Sequence, residues 1–100
     1  MIRLSDAQQG ILERSGLHEA PPFDEDDQAL TDAWHPSEPG VLRLPDDRGA
    51  QDVLWRALID QGNLADEKAN LARRGEKADH RQDARSWYAL ATQVSAERSR

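Results

Sequence analysis

The sequence predicts a small all-α protein, a bundle of four to five helices with an irregular, proline-rich central connection that adds one short strand or hairpin near 41–44. Three observations predict it. Helix-capping residues stand immediately ahead of apolar residues spaced by three and four. Three prolines and Gly40 are crowded into residues 35–48, and no proline occurs from Leu64 to Arg98, where helix formers dominate. With 100 residues the chain makes one domain and one small core, and an apolar share of 37% against a charged share of 32% suffices for a single compact helical layer.

Ser5-Asp6-Ala7-Gln8 has the form of a capping box, in which the Ser5 hydroxyl takes an orphan N–H and Gln8 reaches back. It opens a first helix over 6–15 with Ala7, Ile11 and Leu12 on one face. Gly10 weakens that helix by about 1 kcal/mol relative to Ala, and Gly16 supplies a left-handed residue to end it. Pro21-Pro22 enforces an extended connector, and Phe23 precedes Asp24 as the cap of a second helix whose first turn holds Glu25, Asp26 and Asp27. Carboxylates there suit the positive end of the helix dipole. Phe23, Leu30 and Trp34 form its apolar stripe, and Pro36 stops it near Trp34.

Beyond the irregular stretch, with Val41, Leu42 and Leu44 as anchors, Asp46 or Asp47 caps a third helix over 49–61 with Val53, Leu54, Ala57, Leu58 and Ile59 on its apolar face. Gly62 is expected to close it and Asn63 to cap the next. Residues 64–98 read as one long helix broken near Gly75 or as two helices meeting there. Ala84, Trp87, Tyr88, Ala91 and Val94 mark the C-terminal packing surface, and Ser95 to Arg100 are expected to fray.

Charge divides the chain. Residues 1–52 hold twelve acidic against four basic side chains, a net of −8, whereas residues 53–100 hold seven acidic against nine basic, a net of +2. The absence of cysteine removes disulfides and thiolate metal sites and fits a reducing compartment. There is no signal-peptide pattern at the N-terminus and no apolar run near the roughly 20 residues a membrane span needs, so the expected location is the cytoplasm, with no membrane partner.

Nothing in the motifs supports catalysis: there is no glycine-flanked serine elbow, no phosphate loop, and no carboxylate pair marked as buried. His18, His35 and His80 belong to no zinc spacing. Glu76, His80 and Asp83 would share one helix face at i, i+4 and i+7, but a solvated face braced by Arg and Lys explains them equally, and the reading is of no metal and no cofactor.

The expectation is therefore a binding protein and not an enzyme. Asp24, Glu25, Asp26 and Asp27, extended by Asp32, Asp46 and Asp47 and flanked by Glu19 and Glu38, can imitate a line of phosphates. Such a surface would dock on a protein with a basic surface, a nucleic-acid-handling partner being the best fit. Trp55, a step off the apolar face of its helix, is the candidate hot spot for that interface, the alternative being core residence at the edge of that face. By analogy of type and not of motif, the composition matches small inhibitors or adaptors, including those by which phages or toxin systems disarm a host machine. The alternative is a nucleic-acid-binding accessory protein that lays Arg73, Lys77, Arg81 and Arg85 along phosphates. Against it, Glu76, Asp79 and Asp83 are spaced to pair with that row within the helix. The basic row could also meet the acidic half of another copy, giving a homodimer.

Overall fold

A computed structural model describes residues 1–17, 19 and 24–99. The elements in chain order are β1 (Ile2–Arg3), α1 (Asp6–Arg14), α2 (Glu25–Ala33), β2 (Val41–Leu42), α3 (Arg48–Leu71) and α4 (Lys77–Arg98). Among the described residues the fold is thus a small mostly-α bundle of four helices with a two-stranded sheet. The readings that rest on His18, Pro21-Pro22, Phe23 and Arg100 lie outside the described residues.

Helix starts follow the sequence closely. The Ser5 hydroxyl accepts from the Gln8 backbone N–H at 3.2 Å while the Gln8 carboxamide accepts from the Ser5 N–H at 3.0 Å, completing the capping box. Asp24 caps α2 by accepting from Asp27 N–H at 2.9 Å, and Asp47 caps α3 by accepting from Ala50 N–H at 2.9 Å. Gly16 adopts the left-handed conformation (φ 72°) just past the end of α1.

The expected face of α1 needs one amendment: Ala7 is exposed and Gln8 is buried. Gln8 tolerates burial because its free N–H donates to the Gln93 side chain of α4 at 2.9 Å, so both ends of the carboxamide are satisfied.

The third helix does not close at Gly62, and Asn63 is not a cap. The helix runs on to Leu71, and the break expected near Gly75 falls at residues 72–76, between α3 and α4. The physical reason is the Tyr88 ring. A Cβ on Gly62 would lie 2.5 Å from Tyr88 Cε1, so the glycine serves close helix packing and not a turn. Asn63 instead accepts a hydrogen bond from the Tyr88 hydroxyl at 2.6 Å.

The strand near 41–44 is confined to Val41–Leu42 and does find a partner: Ile2 pairs with Leu42 and Arg3 with Val41 in antiparallel register. Leu4 N–H donates to the Gly40 carbonyl at 2.9 Å, and Arg43 N–H donates to the Ala33 carbonyl at 2.8 Å, which ties the sheet to the end of α2.

α3 and α4 form an antiparallel hairpin, the most extensive pairing in the fold, closed at its open end by the Asp52–Arg98 ion pair. α2 packs on the first half of α3, and α1 on α4. The Gln9 side chain joins the two short helices by accepting from the Trp34 indole at 3.2 Å and from Gly40 N–H at 2.8 Å. Leu30, Leu42, Leu54, Leu58, Leu90 and Val94 are completely buried between these layers. Each such side chain contributes about 1.5–3 kcal/mol on burial.

Candidate functional site

The acidic residues gather at the start of α2, where it lies against α3. Asp24, Glu25, Asp26 and Asp27 form the cap and first turn, and α3 brings Arg56 and Asp60 to meet them. Arg56 donates to Asp26 at 3.0 Å and lies 3.6 Å from Glu25. The hydrogen bond to Asp26, followed by the charge of that carboxylate, raises the Arg56 pKa above its ordinary value. Asp60 is crowded by the same neighbours. Partial burial first, then a hydrogen bond and charge repulsion from Asp26, raise its pKa above the usual 3.8.

Glu25, Asp26 and Asp60 therefore lie around one guanidinium, with Asp24 and Asp27 beside them at the cap and first turn of α2. Asp60 was not among the sequence candidates, and its only signal there was its spacing of four residues from Arg56 on the same helix.

The remaining predicted carboxylates lie farther along. Asp32 accepts from Gln28 at 2.8 Å and lines a hollow with Ala33, Leu44, Pro45 and Ala50, which places it toward the beginning of α3. Asp46 and Asp47 precede α3 and are exposed, with Asp47 committed to its capping bond. Glu38 is paired with Arg43 at 2.6 Å, and Arg43 also lines the hollow beside Asp32.

Trp55 is 37% exposed but does not join the carboxylates. At 3.6 residues per turn it projects about 140° around α3 from Asp60. The combined docking site of acidic run plus Trp55 is therefore divided between two sides of the molecule.

The basic row is also changed. Arg73 lies in the α3–α4 connection, so the helical row consists of Lys77, Arg81 and Arg85. Its expected intrahelical partners point elsewhere: Asp83 pairs with Arg14 of α1 at 2.8 Å, and Glu76 and Asp79 fall on the same side of α4 as Asp83. Among the described residues, Arg73, Lys77, Arg81 and Arg85 form no ion pair.

His35 Nδ1 lies 2.7 Å from the Ser37 hydroxyl in an exposed turn. His80 lines a groove of about 270 Å³ between α1, α3 and α4, together with Arg14, Leu64, Lys68, Asp83 and Trp87. With Asp83 engaged by Arg14, Glu76, His80 and Asp83 do not assemble. Among the described residues no group of three His, Asp or Glu side chains could hold a metal ion. Among the described residues no helix is long and apolar enough to cross a membrane.

No protein-family model, curated protein or solved structure matches the chain.

Proposed function

We propose that the protein acts by binding, as a small acidic regulator whose α2 corner docks on a positively charged surface of a nucleic-acid-handling protein in the cytoplasm and occludes it. One observation carries this reading: Glu25, Asp26 and Asp60 gather around Arg56 beside Asp24 and Asp27, so acids outnumber the cation at this corner, and Asp26 and Asp60 repel one another. A basic partner relieves that repulsion by supplying cations, so association gains energy that neither surface has alone. Asp32, Asp46 and Asp47 extend the negative potential toward the start of α3, and their separation from the corner suits an elongated basic groove better than a point contact. Trp55 takes no part in this surface.

The test is affinity capture from nuclease-treated lysate of the source cell, with the intact chain beside the variant D24N/E25Q/D26N/D27N. Asn preserves the cap at position 24, so the variant keeps its fold while losing the charge. A basic protein recovered by the wild-type chain and lost with the variant supports the proposal. Equal recovery by both chains contradicts it.

A further inference from the structure

We propose that the outward side of the α3–α4 hairpin is a binding platform for single-stranded nucleic acid, made by Trp55, Tyr88, Arg85, Arg81 and Lys77. This surface is separate from the acidic corner and stands or falls independently of it.

The two short helices each cover one side of the hairpin. α1 meets α4 through the Arg14–Asp83 ion pair and the Gln8–Gln93 hydrogen bond, and α2 meets α3 through Arg56 and Asp26. At 100° per residue, Lys77, Arg81, Arg85 and Tyr88 lie within an arc of about 80° on the side of α4 turned away from Asp83 and Leu90. On α3, Trp55 and Ile59 lie on the matching side, with Gly62 between them and the α4 contact. The outward face of the hairpin thus carries cations and aromatic side chains together.

Their order along the face follows from the antiparallel packing. The Tyr88 ring rests on Gly62, seven residues beyond Trp55, which is about 10 Å along the helix. In the same direction Arg85, Arg81 and Lys77 follow Tyr88 by about 4.5, 10 and 16 Å. The line of about 26 Å accommodates up to seven stacked nucleotides at about 3.4 Å each.

Each part of the line has the chemistry that a single strand requires. Arg81 and Arg85 are exposed and Lys77 is half-buried, and none is neutralised by an ion pair. Trp55 is 37% exposed and Tyr88 half-buried, with its ring held in place by hydroxyl bonds to Asn63 at 2.6 Å and Asp66 at 3.1 Å. A fixed, partly open ring loses little entropy when a base stacks on it, and unpaired bases alone offer a free face. Of the local acids, Asp52 is neutralised by Arg98, and Asp66 accepts from the Tyr88 hydroxyl while keeping its charge. A protein partner fits less well, because the row repeats one charge at a four-residue spacing without apolar anchors between its members. The net charge of −6 limits binding to this face and makes it salt-sensitive.

The experiment is fluorescence anisotropy of a labelled 20-nucleotide oligothymidylate with the intact chain, repeated with the matching duplex and with sedimentation against phosphatidylserine vesicles. Three phosphate contacts give a slope of about −2 in log affinity against log salt, so affinity falls about fifteenfold between 50 and 200 mM salt. K77Q/R81Q/R85Q should weaken binding at 50 mM salt at least about tenfold and flatten the slope of what remains. Trp55→Ala should weaken binding about tenfold, and the strand should quench a tryptophan emission that Trp55→Phe removes. All four positions are exposed or half-buried, and circular dichroism confirms folding of each variant. Four results overturn the proposal: no binding at low salt, unchanged binding by the charge variant, duplex bound as tightly as single strand, or vesicle binding without oligonucleotide binding.

Discussion

Replacing Gly62 by Ala tests the packing of the hairpin that carries both proposed surfaces. In an exposed helix the substitution would stabilise by about 1 kcal/mol, because Ala is the better helix former. Here the new methyl would stand 2.5, 2.7 and 2.9 Å from Tyr88 Cε1, Cδ1 and Cζ. A ring cannot yield as a flexible chain end does, so either the helices separate or Tyr88 leaves its site. Overpacking costs about 1–3 kcal/mol. Displacing the ring forfeits the hydroxyl's one donated hydrogen bond, shared between Asn63 and Asp66, about 1 kcal/mol.

The propensity gain is outweighed, leaving a net loss of about 1–2 kcal/mol. In a domain of this size that lowers Tm by roughly 5–15 °C. Thermal unfolding followed by circular dichroism reads the change directly. In a Tyr88→Ala background the obstacle is gone, and Gly62→Ala should then raise Tm by a few degrees. An increase in Tm when Gly62→Ala is made in the wild-type chain would refute the reasoning.

Three further outcomes are expected. Ser5→Ala removes the hydroxyl that receives Gln8 N–H and should cost about 0.5–2 kcal/mol, measured by urea denaturation. Leu58→Ala empties a completely buried position between the helix layers and should cost about 2–5 kcal/mol, enough to broaden or abolish the cooperative transition. Asp60→Asn should raise Tm at pH 7. The folded protein raises the pKa of this carboxyl, so its charged form opposes folding at neutral pH, and that opposition is relieved as pH falls through the folded pKa toward 3.8. The advantage of the variant must therefore shrink with acidification, and an advantage that grows instead would place the cause elsewhere.

Local signals in the sequence were read accurately where they acted locally. Ser5, Asp24 and Asp47 cap the helices they precede, because a cap depends on a side chain and the three or four residues that follow it. Gly62 was misread for the complementary reason. A glycine after an apolar run usually ends a helix, but this one is required by a ring 26 residues away, which no local pattern contains. β1 was overlooked because two residues, Ile2 and Arg3, cannot show alternation, and their pairing with Val41–Leu42 spans some 40 residues.

The candidate site was legible in part. The acidic run was found because its members are consecutive, whereas Asp60 and Arg56 join it only through the packing of α2 on α3. The sequence leaves Trp55 open between the edge of the core and an interface, and placing it relative to the acidic surface needs the rotation of α3 about its axis. Similarly, Asp79 and Asp83 stand two residues from members of the basic row, a spacing that puts them across α4 from it, where Asp83 meets Arg14 of α1.

The most direct test of the account is a displacement titration with the captured basic partner loaded with its nucleic acid. The chain used should carry K77Q/R81Q/R85Q, so that its own hold on the strand is weakened. The account requires release of the nucleic acid as one chain binds each partner site, and no release by the same chain with Asp24, Glu25, Asp26 and Asp27 also neutralised. A stable ternary complex, in which chain and nucleic acid occupy the partner together, would contradict it.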